Sequence, residues 1–210
     1  MSTVAFYDEH ADEFYASTVG ADMGALYDAF LPLLPDGARI LDAGCGSGRD
    51  SRAFLERGYA VTAFDASNEM VARASALLGR PVRRLTFQAM DYAGAFEGVW
   101  ACASLLHVPR AAFDDVLARL ARALVPGGVA FLSFKYGDGE EERNGRWFNS
   151  YDEGSFRAVL ARQELMEELR LWRTSDVRPG RLHEYWLDAL LKKGNGKTDT
   201  RQERSLWRPR

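Results

Sequence analysis

Between Ala38 and Phe134, short apolar runs alternate with segments of helical periodicity, and this alternation limits the fold more than any other feature. The runs are Ala38–Asp42, Tyr59–Asp65, Val82–Gln88, Gly98–Ser104 and Val129–Phe134. Between them, Asp50–Arg57, Asn68–Leu78 and Arg110–Leu124 carry helical patterning, closed by Gly58, Gly79 and Pro126-Gly127-Gly128 respectively. Strand and helix in alternation make βαβ units, which means a parallel sheet with helices on both faces. The pattern then changes. A polar stretch from Gly137 to Gly145 leads to a helix over Ser155–Gln163. Two strand-like segments follow, Glu168–Val177 and His183–Leu191, with Pro179-Gly180 at the bend. So short a connection requires an antiparallel hairpin. Ahead of the sheet, residues 8–16 and 22–33 read as helices.

Composition narrows the function. With 210 residues, 47% of them hydrophobic, the chain suits one α/β domain with a full core. A net charge of −3 gives no general pull toward nucleic acid or an anionic membrane. Cys45 and Cys102, the two cysteines, form neither a CxxC nor a Cys/His spacing, so no disulfide framework is expected. No His/Cys/carboxylate cluster has metal-ligand spacing, and the expectation is no metal. No basic leader and no apolar run long enough to span a bilayer is present, so a soluble cytoplasmic protein is expected. Residues 194–210 are locally basic and polar, and are expected to form a mobile tail.

The chemistry centres on Asp42-Ala43-Gly44-Cys45-Gly46-Ser47-Gly48, a glycine-rich turn between a strand and a helix. Such turns bind many nucleotides. A dinucleotide fingerprint needs a third glycine at position 49, which is Arg, and Asp42 beside the turn would repel a pyrophosphate while suiting a cationic ligand. Asp65 ends the next strand and can accept ribose hydroxyls, since Ser67 is available to cap the following helix. Asp91 follows the third strand, where its carboxylate would meet an adenine amino group and Met90 would pack on the ring. In an open α/β sheet these strand ends share one crevice.

Ile40 to Gly48 resembles the first motif of the class I S-adenosylmethionine-dependent methyltransferases. Phe64-Asp65 and Asp91 resemble the second and third motifs, and Leu124-Val125-Pro126-Gly127-Gly128 resembles the turn before their fifth strand. Within that superfamily the chain looks most like small bacterial methyltransferase-domain proteins of the tellurite-resistance-like type. The resemblance implies a Rossmann-like, seven-stranded, mostly parallel α/β sheet with an antiparallel C-terminal hairpin strand and a short N-terminal helical lid. It implies one methyltransferase domain over residues 1–193, comprising a lid (1–35), a cofactor-binding half (36–135) and an acceptor-side half (136–193). S-adenosylmethionine would be the cofactor, S-adenosylhomocysteine the product and a small molecule the acceptor. Asp42 and Gly44 would meet the methionyl amino group, Cys45 would also bind the cofactor, Gly46 and Gly48 would let the backbone pass beneath, and Asp65 would hold the ribose. Ala66, Ser67 and Met70 would flank ribose and adenine, Met90 and Asp91 would hold adenine, and Ala103 would face the methionyl part.

The acceptor side is less marked. His107 follows the fourth strand and stands either as a catalytic residue or as a structural histidine at a helix start. Tyr151 is a second catalytic candidate, and Lys135 and Arg146 would suit an anionic acceptor. Tyr7 and Tyr15, eight residues apart, fall near one helical face and would either close over the sulfonium or pack in the core. Methyl transfer from a sulfonium is an in-line displacement, so positioning the acceptor supplies most of the rate. Rival readings are a non-catalytic S-adenosylmethionine binder, a nicotinamide-dependent reductase, disfavoured by Arg49, and an RNA methyltransferase using the basic tail. Monomer and homodimer are equally compatible with the sequence.

Overall fold

The computed structural model describes residues 2–178 and 180–194. Met1, Pro179 at the expected bend, and residues 195–210 of the expected mobile tail lie outside the described residues.

The chain opens with α1 (Thr3–Glu9), α2 (Ala11–Thr18) and α3 (Gly24–Phe30). Ser2 caps α1 by accepting from the Ala5 N–H at 3.2 Å. The expected single helix over 8–16 is instead split at His10, whose backbone (φ −107°, ψ 24°) leaves the helical region. The βα alternation follows as β1 (Arg39–Ala43), α4 (Arg49–Glu56), β2 (Ala60–Asp65), α5 (Asn68–Leu78), β3 (Arg83–Arg84), β4 (Phe96–Ala101), α6 (Arg110–Ala123) and β5 (Leu124–Lys135). The expected third strand, Val82–Gln88, is a correction: β3 is two residues long, and a 3-10 turn occupies Phe87–Ala89. The polar stretch after residue 136 is not a loop. It forms an antiparallel hairpin, β6 (Gly139–Arg143) and β7 (Arg146–Ser150), turning at Asn144-Gly145. α7 (Glu153–Leu160), β8 (Met166–Ser175) and β9 (Tyr185–Lys193) complete the described fold.

The seven-stranded sheet runs β3-β2-β1-β4-β5-β9-β8. β1 to β5 are mutually parallel, and β9 pairs antiparallel with both β5 and β8. The core fills both faces. On one, Phe113, Leu117 and Leu120 of α6 and Phe156 of α7 meet Phe134 and Leu132 of β5. On the other, Tyr27 and Phe30 of α3 and Phe54 of α4 close on Trp100 and Phe131. Strand order reverses between β1 and β4, and this switch point is where open α/β sheets place ligands.

Candidate active site

Two adjoining cavities open at the C-terminal ends of the parallel strands. The smaller, of about 270 Å³, is lined by Asp65, Ala66, Ser67, Met70, Phe87 and Gln88 among others. The larger, of about 1010 Å³, extends over β4, β5, β8 and β9 beneath the β6–β7 hairpin. They meet at Gly44, Gly46, Ala103, His107, Tyr7 and Phe14.

The glycine loop is built for close approach. Gly44 has φ +77°, and a Cβ there would lie 2.5 Å from Ser104 Cβ. Only glycine fits both the dihedral and the space. Its N–H and that of Cys45 donate to the Phe64 carbonyl, each at 2.9 Å, which ties the loop to β2. The Gly46 N–H donates to Asp65 Oδ2 at 2.9 Å, and the Ser67 N–H donates to Oδ1 at 2.9 Å. Burial raises the Asp65 carboxyl, and the backbone donors of Ser67 and Gly46 oppose the rise. A carboxylate has about four acceptor sites, so both oxygens keep a lone pair for a ligand hydroxyl. Ser67 caps α5 by accepting from the Met70 N–H and donates its own proton to Asp8 of α1, which anchors the N-terminal helix beside the small cavity.

Five of the residues expected at the cofactor lie elsewhere. Asp42 lines neither cavity. It is buried beneath the loop, accepting from Ser51 Oγ at 2.6 Å. Burial and the neighbouring Asp50 push its carboxyl up toward the neutral form, so it offers little charge to a cationic ligand. Gly48 caps α4 at φ +80°, and a Cβ there would press on Ala74 of α5 at 3.1 Å. Its smallness serves helix packing. Met90 is buried in the core against α6, and Asp91 is exposed. Neither reaches the small cavity, because the chain leaves β3 after two residues and presents Leu85, Thr86, Phe87 and Gln88 there. Tyr15 also lines neither cavity. The break at His10 brings Phe14 in its place, edge-on to Tyr7 with ring centroids 4.9 Å apart.

His107 sits where the cavities meet. Its Nδ1 lies 2.6 Å from the Trp147 carbonyl and its Nε2 lies 2.8 Å from Tyr7 Oη. A carbonyl only accepts, so Nδ1 carries the proton and Nε2 accepts from the Tyr7 hydroxyl. Burial lowers the imidazole to about 4, so it is neutral near pH 7. Burial raises the Tyr7 phenol, and the Arg146 guanidinium opposes the rise. Ala103, with φ +52°, lines both cavities and donates its N–H to Ser133 Oγ at 2.8 Å.

Tyr151 is a further correction. It is buried among Phe113, Phe134 and Phe156, accepts from Asn149 Nδ2 at 3.0 Å, and lines neither cavity. Lys135 does line the large cavity, but its charge is spent on Glu184 at 2.5 Å and Asp176 at 3.5 Å. Arg146 lies over the rings of Phe6, at 4.4 Å, and Phe148, at 5.1 Å, inside the same cavity.

Other residues at the site escaped the sequence reading. Asp50 accepts from Tyr27, Trp100 and, twice, from Arg49. Although burial alone would raise its carboxyl, the Arg49 guanidinium and the Tyr27 and Trp100 donors bring it below the usual range. Asp188 of β9 also lines the large cavity. A lone carboxylate in the apolar run Leu187-Asp188-Ala189-Leu190 was the signal for it.

Residues 40–128 match a family model described as a methyltransferase domain. Over these residues, fewer than half of the chain, the sequence is similar to that methyltransferase family. The chain is 37% identical over 108 residues to the ubiquinone biosynthesis O-methyltransferase of Xanthomonas axonopodis pv. citri (strain 306), covering 48% of this chain and 44% of that protein. That match spans less than half of either protein. An S-adenosyl-L-methionine-dependent Diels-Alderase of Neonectria sp. is 28% identical over 217 residues, covering 96% of this chain and 79% of that one. Among solved structures, this chain superposes on the Burkholderia thailandensis 1,6-didemethyltoxoflavin-N1-methyltransferase with a TM-score of 0.73 and 25% identity, covering 91% of this chain and 85% of that chain. That neighbour holds 1,6-didemethyltoxoflavin and S-adenosylhomocysteine. No helix among the described residues is long and apolar enough to cross a membrane.

Proposed function

We propose that the protein transfers a methyl group from S-adenosylmethionine to a small-molecule acceptor in the cytoplasm. One observation carries the reading: Asp65 stands at a strand end beside a glycine cradle that no Cβ could enter, in a cavity that opens onto a much larger one. The donor set fits the cofactor. Asp65 would take the ribose hydroxyls, while Ala66, Met70, Phe87 and Gln88 would wall the adenine. Gly44, Cys45, Gly46 and Ala103 would lie along the methionyl part. Bound S-adenosylmethionine supplies a sulfonium methyl group open to in-line displacement.

On this reading residues 1–35 act as a lid, 36–135 as the cofactor-binding half and 136–193 as the acceptor side. The acceptor lies in the large cavity with an anionic group toward Arg146. Where the acceptor must lose a proton, Tyr7 Oη takes it as the Tyr7 proton passes to His107 Nε2, and the Trp147 carbonyl holds the ring in place. With an imidazole of such low basicity, positioning contributes most of the rate.

Calorimetry with S-adenosylhomocysteine on the wild type and Asp65→Ala is the direct test. Binding to the wild type, weakened about tenfold or more in the variant, is expected. No binding to the wild type would refute the reading. An acceptor screen should then read S-adenosylhomocysteine release, which methyl transfer requires and a cyclisation like that of the Neonectria relative's class does not.

A further inference from the structure

Most buried charge in the large cavity is already paired. Asp50 is held by Arg49, and Asp176 and Glu184 share Lys135 and Arg178. Among the described residues, two groups of opposite sign remain open.

Arg146, on β7, has no carboxylate within 4.0 Å among the described residues, and its Nε is buried without a hydrogen-bond partner. Aromatic rings lie against its guanidinium and orient the fork, while Nε is left without a partner among the described residues. Asp188, on β9, is only 1% exposed. Thr174 Oγ1 donates to its Oδ2 at 2.7 Å, while Oδ1 has no partner among the described residues. Ser133 stands directly across the strand pair, but its hydroxyl accepts from the Ala103 N–H and points its proton at Cys102 Sγ. Burial raises the Asp188 carboxyl to about 6, so near neutral pH it is chiefly an ionised acceptor. A buried polar atom left unmatched is costly, and two in one cavity point to a ligand that matches both.

We infer that the large cavity is built for an amphoteric acceptor, one whose anionic group meets Arg146 and whose N–H or O–H donor meets Asp188. A simple anion would leave Asp188 buried and half-matched, and a simple cation would do the same to Arg146. The open charges of the cavity sum to zero, so the ligand that closes both is close to neutral overall. This inference rests on reading the large cavity as the acceptor site, and it names the class of molecule that site selects.

The test measures binding rather than turnover, so it does not depend on methyl transfer or on bound S-adenosylmethionine. Benzoate and benzylammonium are titrated separately into the full chain, as wild type, Arg146→Gln and Asp188→Asn, with binding followed by ligand-observed NMR. Benzoate should bind the wild type and Asp188→Asn alike and weaken about tenfold or more in Arg146→Gln. Benzylammonium should show the reverse. The probe that each variant still binds reports that the variant is folded. Binding of only one probe to the wild type, equal binding of a probe by all three proteins, or loss of both probes in one variant would overturn the proposal.

Discussion

His107 gives the sharpest quantitative test, because its environment shifts it far from its ordinary value. Its imidazole falls from 6.5 to about 4 on burial, although its contact with the Trp147 carbonyl favours the charged form. The folded protein therefore binds fewer protons at this ring than the unfolded chain between those two values. The ring's contribution to stability is complete above 6.5 and is lost as the pH falls toward 4. At about pH 5 the wild type has lost about 2 kcal/mol through this group alone. His107→Gln removes the titration together with the Tyr7 and Trp147 hydrogen bonds. At about pH 8 the variant should be less stable by about 1–2 kcal/mol. By about pH 5 that deficit should have shrunk by about 2 kcal/mol and so vanished or reversed. Other titrating groups, Asp42 and Asp188 among them, act in both proteins and cancel in the difference. Urea unfolding of both proteins at several pH values measures the gap. A deficit that is the same at both ends of the range would show that the ring is not held neutral by burial, and the proton path from Tyr7 would lose its basis.

Gly44→Ala forces a Cβ to within 2.5 Å of Ser104 Cβ at φ +77° and should cost about 2–4 kcal/mol, with weakened S-adenosylhomocysteine binding; unchanged thermal unfolding would contradict the cradle. Asp50→Ala leaves the Arg49 guanidinium buried without its carboxylate and should destabilise by about 3–5 kcal/mol in denaturant titration. Tyr151→Phe removes only the hydroxyl that accepts from Asn149, costing about 1 kcal/mol. Its methyl-transfer rate should match the wild type, and a large loss would return Tyr151 to the catalytic list.

What could be read in advance was what local sequence controls. Asn68–Leu78 is a helix from its Ser67 cap to its Gly79 stop, as both signals imply. The glycine turn after β1 and the antiparallel hairpin also follow from neighbouring residues alone. The failures came where tertiary contacts overrode the local pattern. The apolar run Val82–Gln88 looks like a strand, but only Arg83 and Arg84 pair with β2. That early exit withdraws Met90 and Asp91 from the site and sends in Phe87 and Gln88. At His10 a one-residue break moves the aromatic that faces Tyr7 from position 15 to position 14. Asp42 looked like the charge that receives a cationic ligand, a reading that burial and the proximity of Asp50 undo and that only the folded chain reveals. The β6–β7 hairpin is a different kind of miss. Asn144-Gly145, both at positive φ, is a strong short hairpin signal, and the charged run Glu140–Glu142 masked it.

The place of β9 in the sheet bears on how the chain acquires its structure. β9 lies between β5 and β8, so β8, although synthesised first, has no strand to pair with until β9 has docked. A ribosome-bound chain that has emerged only as far as residue 184 would expose two unmatched edges, that of β5 and that of β8. Until residues 185–193 emerge, the large cavity lacks the wall that Tyr185, Trp186 and Asp188 of that strand supply. Pairings over such sequence distance close slowly. Assembly of the proposed acceptor site is therefore the late, aggregation-exposed phase of folding, while the cofactor half can consolidate from local βα units well before it.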